Sequence, residues 1–301
     1  MNVLRFIPWL GSRILTLYLL IFFLLGLLID YDIIVARALN ELQPDSFSIL
    51  IQLSQNKKDI SRSDLDRYIY YYRKIAENLT LRDDAYALLG FCYFHQGKDA
   101  KAVEAYTKAA QINPYLFWHN YNLGLIYFKS KKYKEAVTYF KKAKETDLEY
   151  NLDYLLSSRI FIPILSESPP TVPQLKMSLQ KSYQDCYFLS IMAYDHLENY
   201  HQMLYEAGMA IHYVTGEHDV FLFYAGLAAY KAKDYARAIF FLTQSTRLNP
   251  KNSQTFFYIA QSAKALGQEE VYKNVLASSQ ILSSQTSSSL PDEDSFYLKL
   301  Y

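Results

Sequence analysis

The residues that could carry acid–base, nucleophilic or metal chemistry are scattered along this chain of 301 residues. The two closest histidines, His196 and His201, stand five residues apart, a step that puts them on different faces of a helix. The carboxylate runs at 269–270 and 292–294 have the character of solvated faces or tails. We therefore predict no catalytic residues, no metal site and no bound cofactor.

Glycine and cysteine usage leads to the same prediction. No two of the nine glycines are closer than seven residues, so the chain has no glycine-rich phosphate loop. The metalloprotease, C-x-x-C and nucleophile-elbow motifs are absent from the sequence. Cys92 and Cys186 are expected to be buried free thiols, since free cysteine is mostly buried. The sequence therefore predicts a protein that is not an enzyme.

Composition favours packed helices and gives no sign of a nucleic-acid partner. The formal net charge is +1, so neither sign of charge is in excess. Tyrosine is abundant, with 29 residues, and glycine is scarce. Such a composition suits helical hairpins better than a loop-rich enzyme.

The strongest pattern is a spacing of aromatic and small residues between positions 83 and 116. Small side chains at Gly90 and Ala102 let two helices approach closely, while aromatic residues at helical spacing fill the layer between them. Pro114 ends the second helix. The pattern consists of Tyr86, Leu89, Gly90, Tyr93, Ala102, Tyr106, Ala109 and Pro114.

The same pattern returns along the chain. A second copy follows at a 34-residue period, a third lies near the C-terminus, and a weaker fourth comes after it. The second copy has Leu123, Gly124, Tyr127, Ala136, Phe140 and Ala143; the third has Gly226, Ala238, Leu242, Ser245 and Pro250; the fourth has Phe256, Ile259, Ala260 and Gly267. Because one unit cannot bury its own apolar face, the copies are expected to stack.

These residues and their spacing are similar to the tetratricopeptide repeat (TPR) family. The resemblance implies an all-α fold, a right-handed superhelical solenoid of helix-turn-helix repeats. It also implies a binding role, since arrays of this family hold peptides or partner helices on a concave face. Fold alone does not identify the partner.

An apolar run at 14–29 precedes the repeats and is predicted to be one N-terminal transmembrane helix. At about 1.5 Å per residue it spans about 24 Å, and flanking residues can extend it. Arg5 and Arg13 precede the run, and Asp30 and Asp32 follow it. The positive-inside rule then places the N-terminus in the cytoplasm and the repeats on the periplasmic or extracellular side. The alternatives are a signal peptide cleaved near residues 36–38 and a buried helix of a soluble protein.

The chain is predicted to divide into six segments. The boundaries are 1–32 for a cytoplasmic stub and anchor, 33–82 for a connector and degenerate first repeat, 83–150 for two strong repeats, 151–182 for an irregular insertion, 183–280 for a degenerate repeat and two further repeats, and 281–301 for a serine-rich tail. The insertion contains a proline-rich loop at 163–174, which is a decayed repeat or a partner contact. The apolar end of the tail, from Phe296, is expected to dock as a cap or to bind a partner.

The family resemblance also implies a protein-binding groove lined by the first helix of each repeat. The predicted groove residues are Ala87, Phe91, Phe94, Trp118, Tyr121, Leu125, Phe128, Phe223, Leu227 and Tyr230. Its expected occupant is an apolar helix or peptide of another envelope protein, although the protein's own tail or a second copy could fill it. The alternative is that these side chains pack on adjacent helices.

The predicted function is that of a membrane-anchored scaffold or adaptor. It would support assembly of a cell-envelope complex of the secretion, pilus or flagellar type. If the N-terminal segment is cleaved, the alternative is an exported soluble binding protein. Protein partners and the membrane through 14–29 are expected, self-association is possible, and nucleic acid is not.

Overall fold

The computed structural model describes residues 17–18, 20–21, 62–78, 83–157, 172–216, 218–284 and 296. Within these ranges the regular structure is entirely helical. The helices are α1 Arg62–Asn78, α2 Asp83–His95, α3 Asp99–Ile112, α4 Phe117–Lys129, α5 Tyr133–Lys144, α6 Leu148–Ser157, α7 Val172–His196, α8 Tyr200–Tyr213, α9 His218–Lys231, α10 Tyr235–Leu248, α11 Ser253–Ala265 and α12 Glu269–Ser283.

The helices form five hairpins stacked in chain order. The first helices of the hairpins are α2, α4, α7, α9 and α11, and the second helices are α3, α5, α8, α10 and α12. Helix α1 packs on α2 ahead of the first hairpin, and α5 packs on α7 across the insertion. The predicted all-helical repeat solenoid is therefore confirmed for the described part of the chain.

One residue in the turn of each hairpin has a left-handed backbone conformation. In the first and last hairpins this residue is Gly97 or Gly267, with φ of 71° and 74°. The middle three hairpins use Lys131, Glu198 and Lys233, at φ between 54° and 64°. A non-glycine residue there costs about 1 kcal/mol or more, so packing of the two helices stabilises a strained turn.

The glycines of three first helices lie directly under a large side chain of the second helix. A Cβ added at Gly90, Gly124 or Gly226 would lie only 2.4–2.7 Å from the nearest atom of that side chain. The facing residues, sixteen positions later in each case, are Tyr106, Phe140 and Leu242. The predicted reason for glycine, close approach of the paired helices, is therefore confirmed.

The third hairpin, α7 with α8, carries the reverse assignment of sizes. The two residues at the same sixteen-residue spacing are Ile191 and Ala207, and both are fully buried. The large side chain is now on the first helix and the small one on the second. The summed side-chain volume between the helices stays close to that of the other hairpins, as a well-packed interior requires. The exchange also removes the glycine from the first helix, so the sequence pattern is lost.

Helix α6 leaves the hairpin pattern and joins the two strong repeats. The Asn151 Oδ1 atom accepts a hydrogen bond from the backbone N–H of Phe117, at 2.7 Å. The Tyr154 hydroxyl donates to Asp83 Oδ2 at 2.9 Å, and His119 Nε2 lies 3.0 Å from the same oxygen. Helix α6 thus contacts the starts of α2 and α4, the first helices of both preceding hairpins.

Two predictions about chain segments differ from what the structure describes. Helix α7 begins at Val172, two residues before the expected end of the proline-rich loop at 174, with Pro173 in its first turn. Proline is tolerated there because the first-turn N–H groups have no helical acceptor. Helix α7 then runs without interruption to His196, past the predicted boundary at 182. The remainder of the loop, 163–171, lies outside the described residues.

The predicted membrane anchor also lies largely outside the described residues. Of the run 14–29, only residues 17, 18, 20 and 21 are described; they are helical and exposed. None of the helices in the described ranges combines the length and apolar character that crossing a membrane requires. In the tail, Phe296 is buried and belongs to the hydrophobic core, as expected for a docking cap.

Candidate protein-binding surfaces

The predicted groove residues lie mainly inside the protein. Ala87, Phe94 and Tyr230 are partly buried. The others are at most 8% exposed: Phe91, Trp118, Tyr121, Leu125, Phe128, Phe223 and Leu227. These side chains form part of the continuous core and leave little surface for a partner in this conformation.

Aromatic contacts between consecutive first helices account for much of this burial. Phe223 and Tyr230 lie against Tyr258 of α11, with ring centroids 6.1 and 5.2 Å apart. Phe128 of α4 similarly lies against His196 of α7 at 6.2 Å. These contacts agree with the alternative that aromatic stripes at helical spacing pack on neighbouring helices. Binding of a partner at this face stays a prediction.

The open cavities lie elsewhere, and each is lined by a second helix and the first helix of the same hairpin. One has a volume of about 800 Å³ and lies between α5, α7 and α8. We call it the tyrosine cleft, because five tyrosines line it. They are Tyr183, Tyr187, Tyr194, Tyr205 and Tyr213.

Two smaller cavities occupy the equivalent place in other hairpins. One of about 440 Å³ lies beside α10, and one of about 280 Å³ lies between α1, α2 and α3. Each of the three cavities has a wall residue seven positions after the left-handed turn: Glu104, Tyr205 or Phe240. The fold therefore repeats a cleft on the second-helix side, and the local sequence sets its chemistry.

A buried ion pair forms part of the lining of the tyrosine cleft. Lys144 of α5 pairs with Glu206 of α8, and their side chains are only 9% and 11% exposed. The Lys144 ammonium also donates to the Ser190 hydroxyl at 3.1 Å and lies 4.7 Å from the centre of the Tyr187 ring. These contacts link two consecutive second helices, α5 and α8, across α7.

The tyrosine hydroxyls near this ion pair remain protonated at neutral pH. Burial, with smaller effects from nearby groups, raises the pKa of Tyr183 and of Tyr187 to about 12. Tyr183 donates its hydroxyl proton to the Thr146 carbonyl oxygen at 2.6 Å. Both side chains therefore present neutral rings to the cleft.

The amide of Gln184 is the unusual polar group of the cleft. Its residue is 6% exposed, and its Nε2 atom has no hydrogen-bond acceptor within the protein. A buried N–H group without an acceptor costs roughly 1–3 kcal/mol.

Sequence reasoning missed the tyrosine cleft because it followed the first-helix positions of the family. Tyr205 and Tyr213 lie on a second helix, with 57% and 64% of their surface exposed. Periodicity reveals where they lie on the helix, but not that α5 and α8 leave a cavity between them. Their spacing of eight residues, two turns along one face, is the available signal.

The described residues provide no arrangement of His, Cys, Asp and Glu that could hold a metal ion. Both cysteines are buried, and burial raises the pKa of each thiol. His196 stacks on the Tyr133 ring at 4.3 Å, and His201 is exposed. These groups act in packing or at the surface.

Comparison with known proteins identifies the repeats. Residues 83–116 and 120–149 match the tetratricopeptide repeat family model. No curated protein sequence matches the chain significantly. The family match coincides with the first two hairpins, α2–α3 and α4–α5.

Several solved structures are similar to this chain at low sequence identity. YrrB, described as a TPR protein with an unusual peptide-binding site, is 14% identical, with a TM-score of 0.50 over 71% of this chain and 93% of its own. The apo form of RapI is 11% identical, with a TM-score of 0.51 over 87% of this chain and 79% of its own. PilW, described as a type IV pilus biogenesis factor, is 12% identical, with a TM-score of 0.46 over 82% and 96%. With the family match, the glycine contacts and the stacked hairpins, the YrrB and RapI matches identify the described part of the chain as a helical solenoid that contains tetratricopeptide repeats.

Proposed function

We propose that this chain is a membrane-anchored TPR scaffold that binds another cell-envelope protein at the tyrosine cleft. The observation that carries the proposal is the contrast between its two faces. The first-helix aromatic residues are largely sealed in the core, whereas the second-helix side has an open cavity of about 800 Å³ with exposed aromatic rims. Tyrosine is one of the residue types that most often dominate interface energies when a partner covers them.

The fold is compatible with such a role. YrrB, which has the same fold, is described as having an unusual peptide-binding site. This supports peptide binding as a use of the fold and does not transfer a site to this chain. The second-helix cleft is our assignment for this protein.

The anchor and its orientation are the second part of the proposal. The apolar run 14–29 would cross the membrane, with Arg5 and Arg13 on the cytoplasmic side. The repeats would then face the periplasm or the exterior and assemble components of a secretion, pilus or flagellar type machine. The alternative, an exported soluble binding protein, differs only in cleavage of the N-terminal segment.

Site-directed photo-crosslinking tests the cleft. A photoreactive phenylalanine analogue would replace Tyr205 at the rim in the full-length chain, expressed in its host. The matched control is the same analogue at Tyr115, another exposed tyrosine that does not line the cleft. We expect a discrete crosslinked species from position 205 that position 115 does not give. Equal crosslinking from both positions, or none from position 205, would remove the cleft as the binding surface.

A reporter enzyme fused after Tyr301 tests the orientation. A reporter that is active only after export should be active, and carbonate extraction should leave the fusion in the membrane fraction. Release by carbonate, with a new N-terminus near residue 38, would support the exported soluble protein. Reporter activity in the cytoplasm would reverse the orientation.

A further inference from the structure

Helix α6 covers a surface that, we infer, also binds a helix of a partner protein. The surface is formed by the starts of α2 and α4 and by the loop before α4; we define it by Asp83, Asn113, Phe117 and His119 and call it the docking edge. Helix α6 occupies this edge as an intramolecular ligand, and the partner helix displaces it. None of these four residues lines the tyrosine cleft, so the inference goes beyond the proposed function.

The contacts of α6 show which chemistry the docking edge recognises. Asn151 Oδ1 accepts a hydrogen bond at 2.7 Å from the backbone N–H of Phe117, which lies in the first turn of α4 and has no acceptor within that helix. The Tyr154 hydroxyl donates to the Asp83 carboxylate at 2.9 Å. Asn151 and Tyr154 stand three residues apart on one face of α6, and the neighbouring Leu152 is buried. A partner helix must therefore carry an oxygen acceptor and a hydroxyl donor three residues apart, with a leucine-sized apolar side chain between them.

The repeat array does not need α6 for its continuity. In the last two hairpins, α10 is followed directly by α11 and packs on it. Helix α5 packs on α7 in the same way, although α6 lies between them in the chain. Helix α6 is therefore an addition to the side of the solenoid, and the hairpins on either side of it can stay stacked when it leaves the docking edge.

Few apolar contacts hold α6 in place. Of its side chains that the structure describes, Leu152 is the one buried apolar group, and Tyr150 is 41% exposed. The ion pair of Glu149 with Lys176 of α7 is also exposed, and such pairs stabilise little. An isolated helix of ten residues is marginal in water, so the ordering of α6 offsets part of its free energy of docking. A partner helix that is already folded in its own protein does not bear that cost.

Competition between α6 and an external helix follows from the covalent connection. A tethered segment acts at an effective concentration in about the millimolar range, so in the wild-type chain α6 competes strongly with any external helix. Weakening the contacts of α6 should therefore strengthen the binding of an external helix to the docking edge. A purely structural α6 gives the opposite result, because the edge would lose its shape when α6 is weakened.

A peptide-binding measurement on the full-length chain in detergent micelles tests this competition. The probe is a fluorescein-labelled peptide with the sequence of residues 147–157, followed by fluorescence polarisation. Tyr154→Phe in the protein removes the hydrogen bond to the Asp83 carboxylate, and the peptide should then bind about tenfold more tightly than to the wild-type chain. The control is Tyr127→Phe, which removes a hydroxyl ten residues along α4 from Phe117, about 15 Å away, and should leave the affinity unchanged. A matched peptide that carries Asn151→Ala and Tyr154→Phe should bind at least tenfold more weakly than the probe.

Hydrogen exchange measures the release of α6 directly. In the Tyr154→Phe protein, the backbone amides of α6 should exchange about tenfold faster than in the wild-type chain. The amides in the interior of α4 and α5 should keep their wild-type rates, because both helices remain packed in their hairpin. Equal acceleration in α4, α5 and α6 would show that α6 is an integral part of the fold and would overturn the inference.

The binding data contain further outcomes that would overturn the inference. Equal affinity of the probe for the Tyr154→Phe and wild-type chains would show that α6 does not compete with it. Equal affinity of the two peptides would show that the docking edge does not recognise the acceptor and the hydroxyl. If the Tyr154→Phe chain dimerises and binds no probe, the occupant is α6 of a second copy and not a partner. These variants leave the tyrosine cleft unchanged, so crosslinking from position 205 tests the proposed function separately.

Discussion

Replacing Gly124 with alanine should destabilise the protein, although alanine is the better helix former. The added Cβ would lie 2.5 Å from the Cδ1 and Cε1 atoms of Phe140. The Phe140 side chain is fully buried, and its ring centroid lies 6.3 Å from that of Tyr121. The substitution therefore places one methyl group inside the close contact between α4 and α5 at Phe140.

The magnitude follows from that distance. Carbon atoms pack best at about 3.5–4.0 Å, so the ring or the helix must move by roughly 1 Å. Overpacking of this kind costs about 1–3 kcal/mol. Alanine recovers as much as about 1 kcal/mol through its helix propensity. A net loss of about 0–2 kcal/mol is expected, and leucine at the same position should cost more than alanine.

Gly208→Ala is the control that separates the two effects. Gly208 lies within α8, and a Cβ added there would have no atom within 4 Å. It should gain as much as about 1 kcal/mol from propensity alone. The difference between Gly124→Ala and Gly208→Ala therefore isolates the overpacking, at about 1–3 kcal/mol.

Urea unfolding followed by circular dichroism measures the difference. The slope of the unfolding free energy against urea should be compared among the proteins, because a repeat array can lose two-state behaviour. If Gly124→Ala is as stable as Gly208→Ala, the close helix approach does not determine the choice of glycine and our repeat register is wrong.

Three further predictions concern buried polar groups and thiols. Lys144→Met should destabilise the protein by about 3–5 kcal/mol in urea unfolding, because it leaves the carboxylate of Glu206 buried without its cation. The double variant Lys144→Met with Glu206→Leu should recover most of that loss. If the losses of the two single variants simply add in the double variant, the buried pair does not act as a unit. Burial alone would raise the pKa of Asp83, but hydrogen bonds from His119 and other groups and the charge of His119 lower the pKa below its usual value. The stabilisation from the ionised Asp83 carboxylate should therefore be present above its unfolded-state pKa, about 4, and be lost as the pH falls through its folded-state pKa. His119→Phe should reduce this pH dependence of the unfolding free energy. An unchanged slope of the unfolding free energy against pH would refute the role of His119. Both thiols should resist iodoacetamide at pH 8 in the native protein and react in urea, since burial raises the pKa of each; rapid native labelling would show that the core opens.

The strong hairpins could be predicted from the sequence because their packing depends on a pair of residues with an unusual size ratio. Gly90 and Gly124 are each followed sixteen residues later by a buried aromatic ring. The third hairpin was predicted only as a degenerate repeat, because at the same spacing Ile191 stands on its first helix and Ala207 on its second. The space between the paired helices can be filled with the large side chain on either helix. The sequence pattern of the repeats contains only the arrangement with glycine on the first helix.

The binding surfaces were harder to predict, since periodicity gives the face of a helix but not the gap between helices. Tyr121 and Tyr205 are both tyrosines at regular helical positions, yet the first is fully buried and the second is 57% exposed. The difference arises from how closely neighbouring hairpins approach. That distance depends on contacts such as Lys144 with Glu206, which are 62 residues apart in the chain.

Helix α6 also affects the order in which this protein folds. In a regular solenoid each repeat contacts only its neighbours, so an N-terminal repeat can finish folding as it leaves the ribosome. Here the carboxylate of Asp83, near the start of the first strong repeat, accepts a hydrogen bond from the hydroxyl of Tyr154, 71 residues later. The first two repeats must therefore wait for α6 to emerge before their buried polar groups are satisfied. Non-local contacts of this kind slow folding, so nascent chains halted before residue 157 should expose an unfinished surface that chaperones can recognise.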